Sequence, residues 1–152
     1  MAHRPRRDAR VKPFHQRYVS YPVGQDRQKL PLLHVRLIGD VDTLTTIALV
    51  DSGATTTFIP PELAEAVVLR VVERDVSAIG AGGSFLNDVC EFEVELLKKA
   101  ETIYRIKGEA HVPKETGKLP YVVLGRDYLF EIYDITFRER KQLVVLRPAT
   151  GP

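Results

Sequence analysis

Residues 48–60 read ALVDSGATTTFIP. The apolar stretch ending at Val50 runs directly into Asp51-Ser52-Gly53, and the chain turns apolar again at Phe58-Ile59. Most Asp-Ser-Gly tripeptides are surface turns, because Asp and Ser bond their own backbone and Gly accepts positive φ. A surface turn has polar flanks; this one is flanked by Ile47, Leu49 and Val50 on one side and by Phe58 and Ile59 on the other. The pattern therefore predicts a carboxylate at the end of a buried strand. An unpaired charge is costly there and marks a candidate functional site.

The surroundings are those of a β domain. Leu32, Leu33, Val35, Leu37 and Ile38 form a short apolar run, Gly39–Thr43 is a turn, and Thr45–Val50 is rich in β-branched residues. Pro60-Pro61 stops further pairing, and PPELAEAVVL opens a short helix. From Val89 to Leu97 the chain alternates: Cys90, Phe92, Val94 and Leu96 share one face, and Glu91, Glu93 and Glu95 the other, predicted to be wet. Thr102–Val112 and Tyr121–Leu124 read as strands, Arg126–Ile132 as a short helix. Ile135–Phe137 and Leu143–Leu146 read as a hairpin across Arg138–Lys141. Short strands with one or two short helices indicate an all-β fold, a small closed barrel or a sandwich.

Composition removes several function classes. The chain has 152 residues, so one domain or one domain with a tail is expected. The single cysteine, Cys90, rules out an internal disulfide framework and a multi-cysteine zinc site, and the four histidines lack metal-ligand spacing. No cofactor or metal is expected, for there is no phosphate loop of the GxxxxGK type. No apolar run approaches the ~18 residues of a membrane span. MAHRPRRDAR lacks the apolar stretch of a secretory leader. A reducing, cytoplasmic setting is the expectation. Charge is uneven: residues 1–30 carry Arg4, Arg6, Arg7, Arg10, Lys12, Arg17, Arg27 and Lys29 against Asp8 and Asp26, whereas the rest has an acidic excess. This divides the chain into a basic arm (1–30), flexible or packed on a partner, a domain (31–148) and a tail (149–152). A nucleic-acid role for the arm is the weaker reading, since no nucleic-acid motif accompanies it.

Leu49-Val50-Asp51-Ser52-Gly53-Ala54 resembles the active-site motif of pepsin-like and retroviral-type aspartic proteases. Two further landmarks match the single-domain, retropepsin-like branch. SAIGAGGSFL (Ser77–Leu86) resembles the flap hairpin, with Ile79 before a tip at Gly80-Ala81-Gly82-Gly83. VVLGRDYL (Val122–Leu129) resembles the element that threads behind the active-site loop, with Gly125 and Arg126 as structural support. The resemblance covers roughly residues 32–147, and the C-terminal hairpin favours a cellular member over a viral one.

The resemblance implies the retropepsin barrel and, since the chain has one such motif and length for one lobe, a C2 homodimer with Asp51 from each subunit at the twofold axis. It implies an aspartic endopeptidase, inhibited by pepstatin-type compounds, that cuts peptide or protein substrates. Asp51 is its catalytic residue. Ser52 braces the two carboxylates, Gly53 admits close backbone approach, and Ala54 keeps the wall small. Phe58, Tyr121 and Val123, with Ile79, fall where relatives line substrate pockets; each is equally suited to plain core. Ile135, Phe137, Leu143 and Val145 are apolar candidates for the dimer interface. One departure is Thr55, standing where many retroviral enzymes place an acidic partner for the Arg of the Gly-Arg element. Arg126 is therefore expected to pair with Asp127 or with the other subunit. The competing reading is a catalytically silent dimerisation or peptide-binding module.

Overall fold

The computed structural model describes residues 11–80 and 82–150. Strands β1 (Phe14–Arg17), β2 (Val19–Val23) and β3 (Asp26–Leu30) precede the two strands that lead to Asp51, β4 (Leu32–Ile38) and β5 (Thr43–Val50). β4 and β5 pair antiparallel, from Leu32 opposite Leu49 to Ile38 opposite Thr43. Leu33, Val35 and Leu37 of β4 and Ala48 and Val50 of β5 are buried in one core. Helix α1 (Pro61–Val67) starts on a proline, whose missing N–H has no partner to lose in the first turn, and ends where Val68 turns left-handed (φ 61°).

The chain then runs through β6 (Val71–Gly80), β7 (Gly83–Lys98) and β8 (Glu101–Pro113). β7 organises the main sheet: its first half pairs with β6, its second half with β4, and its part from Asn87 to Lys98 with β8. The predicted alternation holds on the core side, where Cys90, Phe92, Val94 and Leu96 are all buried. It fails on the other side at Glu95, which is only 6% exposed. Thr102 Oγ1 donates to its carboxylate at 2.7 Å, and Arg36 and Arg105 approach it at 3.3 Å. Cross-strand partners on β4 and β8 have covered a charge that the alternation exposes.

Strand β9 (Val122–Leu124) returns beside β5 in parallel, with Leu49 opposite Val123. Such a pair needs a long crossover, and α1 to β8 supply it. Helix α2 is shorter than expected, Leu129–Ile132. Arg126–Tyr128 are held in a turn, because the Arg126 N–H is donated to Ala54 O at 2.9 Å and the Asp127 carboxylate is tied to Thr57. The predicted C-terminal hairpin forms between β10 (Tyr133–Arg138) and β11 (Leu143–Pro148). β1 adds to the free edge of β11, with Phe14 opposite Leu146 and its ring edge-on to Tyr133. Val145 is buried within the subunit, so of the four interface candidates it is unavailable; Phe137 is exposed.

The sheets do not close into a barrel. Among the described residues the far edge of β9 meets only Phe58, whose N–H bonds Val123 O, and Phe58 in turn bridges to His111 of β8. Pro60 and Pro61, lacking N–H groups, prevent that single-residue contact from growing into a strand. Of the basic arm, residues 1–10 lie outside the described residues, and residues 14–30 contribute β1–β3. No helix among the described residues is long and apolar enough to cross a membrane.

Candidate active site

Asp51 stands where β5 leaves the sheet. Its own N–H donates to Leu124 O of β9 at 3.1 Å, so the strand pair positions the residue directly. The backbone then turns on itself: the Gly53 N–H donates to Asp51 Oδ1 at 2.9 Å and the Ala54 N–H to Asp51 O at 3.3 Å. The strand behind is buried, whereas the Asp51 side chain is half-buried and Ser52 and Gly53 are exposed at the tip. One chain thus presents a carboxylate at its surface, oriented by a backbone donor and held by a rigid strand pair.

The loop is clamped from behind. Gly125 packs so tightly under it that a Cβ there would lie 2.3 Å from Thr56 O and 2.9 Å from Ala54 O, and only glycine fits. The buried Thr57 donates its N–H to Asp127 Oδ2 at 2.9 Å and its hydroxyl to Asp127 Oδ1 at 2.7 Å. Both Asp127 oxygens are therefore engaged by Thr57, and the expected Arg126–Asp127 pair does not form; Arg126 is exposed. Burial pushes the Asp127 carboxyl up, against the lowering effect of the Thr57 bonds.

Of the pocket candidates, Phe58 and Tyr121 are half-buried and Val123 is buried beside Phe58. The Tyr121 phenol is pushed up by burial first, then by Tyr21 and the charge of Asp51. Tyr21, from β2, meets the Tyr121 ring edge-on at 5.2 Å. Sequence reading missed Tyr21 and Thr57 and expected Arg126, not Thr57, beside Asp127; nothing in the local pattern brings β2 to the site. The Asp127–Thr57 bond spans a crossover that only the parallel β5–β9 pairing closes.

The β6–β7 hairpin pairs Ser77 with Leu86 and Gly80 with Gly83. Ile79 is 89% exposed near its end, and Ala81, one of the predicted tip residues, lies outside the described residues. A cavity of about 690 Å³ lies elsewhere, lined in part by Asp40, Arg70, Glu91, Lys107, Glu109 and Tyr128, and none of Asp51–Ala54 borders it. No cluster of metal-ligating side chains occurs among the described residues.

Asp51, its loop and the β9–Gly125 support thus form one connected unit at the end of β5. Residues 37–128 match the family model described as aspartyl protease, and the chain belongs to that family. Among solved structures it is similar to a retropepsin-like aspartic protease from Rickettsia conorii, with 13% identity over 92% of this chain and 95% of that one and a TM-score of 0.54. It is also similar to the EIAV protease complexed with the inhibitor HBY-793 (23% identity, 72% and 89% covered, TM-score 0.49). A third similar structure is the retroviral protease-like domain of Ddi1 from Leishmania major (18% identity, 80% and 97% covered, TM-score 0.48). No curated protein matches the sequence. The Rickettsia likeness spans nearly the full length of both chains and shows the retropepsin-like fold.

Proposed function

We propose that the protein is an aspartic endopeptidase in which two copies of the chain each contribute Asp51 to one site. The observation that carries this reading is the Asp51 carboxylate, half-buried, fixed by the Gly53 N–H and backed by the β5–β9 pair. A single chain supplies one carboxylate, and water-activating acid–base hydrolysis of this class needs two. Carboxylates brought to about 3 Å share one proton, as in the aspartic-protease dyad. The ionised Asp51 takes a proton from a water held between the pair, while the protonated Asp51 of the second copy donates a hydrogen bond to the scissile carbonyl. Water attack gives a tetrahedral diol with no covalent enzyme intermediate. A carboxyl then protonates the amine as the C–N bond breaks.

In this scheme Ser52, exposed at the loop tip, reaches across to the opposite loop. Gly53 and Ala54 leave room for substrate backbone. The β6–β7 hairpin, carrying Ile79 and Gly80–Gly83, acts as the flap, and Phe58, Tyr121 and Val123 line the pockets. Gly125 and Arg126 support the loop from behind. No metal or cofactor takes part in this scheme.

A peptide-library digestion at several pH values tests the reading, run on wild type and Asp51→Asn with and without a pepstatin-type inhibitor. Cleavage by wild type that is lost in Asp51→Asn and blocked by the inhibitor supports it. Peptide binding without cleavage by either protein would establish the silent module instead.

A further inference from the structure

Two buried polar atoms make no hydrogen bond among the described residues, Asn87 Oδ1 and His111 Nδ1. Nearly all buried polar groups in native proteins are paired, so each orphan calls for an explanation. They belong together. In the β7–β8 ladder Asn87 faces Pro113 and Val89 faces His111, which puts Asn87 and His111 on one face as diagonal neighbours. Such neighbours lie roughly 7–8 Å apart, within reach of one small group set between their side chains.

That face packs against Phe58, a few residues beyond the Asp51 loop. Phe85 lies two residues before Asn87 on the same strand face. Phe58, seven residues after Asp51, packs against Phe85 at 6.0 Å and against His111 at 5.6 Å between ring centroids. His111 is anchored to the active-site loop, since its N–H donates to Thr57 O and its carbonyl accepts from the Ile59 N–H, both at 2.9 Å. Asn87 Nδ2 donates to Val76 O at 3.5 Å, which leaves Oδ1 as the free acceptor.

We propose that Asn87 and His111 form the polar end of a substrate subsite walled by Phe58 and Phe85, and that this subsite takes a side chain ending in a neutral hydrogen-bond donor, a carboxamide. With the ring proton on Nε2, His111 Nδ1 is an acceptor like Asn87 Oδ1, and a carboxamide NH₂ carries one hydrogen for each. The aromatic walls bury the methylene carbons of the same side chain. Asn87 is fully buried, so the proposal requires the β6–β7 hairpin to open for substrate. A site built to hydrogen-bond a substrate group rejects the analogue that lacks it far more sharply than an apolar pocket discriminates by size.

The assignment rests on the endopeptidase reading, and the experiment separates the two. Peptide pairs identical except for Asn against Leu, and Gln against Met, at each position around the cut are compared for cleavage by wild type and for binding to Asp51→Asn. One position is expected to favour the carboxamide by about 10-fold or more, and both Asn87→Leu and His111→Leu to abolish or reverse that preference while cleaving apolar peptides. His111→Gln, which restores an acceptor, is expected to recover part of it. Should Asn87→Leu fail to fold, His111→Leu reads the same quantity. Cleavage with no carboxamide preference at any position, or an unchanged preference in the folded variants, overturns the subsite and leaves the endopeptidase standing. A carboxamide preference in binding without cleavage by wild type overturns the endopeptidase and leaves the subsite.

Discussion

On the endopeptidase reading, the chemistry at Asp51 depends on a single carboxylate per chain. Asp51→Asn keeps the volume and the Gly53 N–H contact through the remaining oxygen, so the fold is expected to survive. Peptidase activity is expected to fall at least a hundredfold, measured by cleavage rate beside an unchanged circular dichroism spectrum. Glu95 is instead a buried carboxylate held by Thr102, Arg36 and Arg105 within the sheet. The hydrogen bond from Thr102 holds its carboxyl below the ordinary value of 4.5, helped by Arg105 and Arg36 and opposed by burial. A group whose pKa is lowered by folding stabilises above its unfolded value and loses that contribution as pH falls through the folded one. Glu95→Gln is therefore expected to cost about 1–3 kcal/mol at neutral pH. The difference from wild type should shrink progressively below pH 4.5. Urea denaturation of both proteins at neutral and acid pH checks the sign.

At the scale of elements, the parallel β5–β9 pair converts a sequence motif into a site. It places Leu124 O against the Asp51 N–H and brings Asp127 to Thr57 across the crossover. Gly125 is the point of closest approach, and Gly125→Ala forces a Cβ against Thr56 O. About 1–3 kcal/mol of destabilisation is expected from such overpacking, with loss of activity beyond what the stability change explains; thermal melting and cleavage rate together read it. The β1–β11–β10 sheet depends on its middle strand. Val144 and Leu146 of β11 are fully buried, and β11 satisfies the backbone of both neighbours. Truncation after Asp134 removes that strand, and an insoluble or inactive product is expected.

At the scale of the molecule, the proposed reading makes activity a property of two chains, each contributing one Asp51. Specific activity is expected to fall on dilution below the dimer dissociation constant, and sedimentation should show monomer appearing over the same concentration range. A monomer that still cleaves peptides would exclude the shared site. Activity is also expected to be greatest in acid and to decline as pH rises, because the proposed general acid must keep its proton. A profile flat from acid to alkaline pH would contradict it.

The sequence alone determined the all-β class, the strands around Asp51, the inward set Cys90, Phe92, Val94 and Leu96, and the C-terminal hairpin. Each of these is set by local periodicity or turn chemistry, which a few neighbouring residues carry. The apolar flanks of Asp51-Ser52-Gly53 likewise marked it as the end of a buried strand, while the structure shows the tripeptide itself as an exposed turn. Tertiary structure decided the rest. Glu95 is buried because Arg36, Thr102 and Arg105 come from other positions in the sheet. Asp127 binds Thr57 and not Arg126, because the β5–β9 crossover puts the threonine there. The open sheets depend on Phe58 bridging alone where two prolines forbid a strand. Asn87 and His111 look unremarkable in sequence and become a pair only through the β7–β8 register, since contacts between residues distant along the chain depend on register and packing that no local pattern encodes.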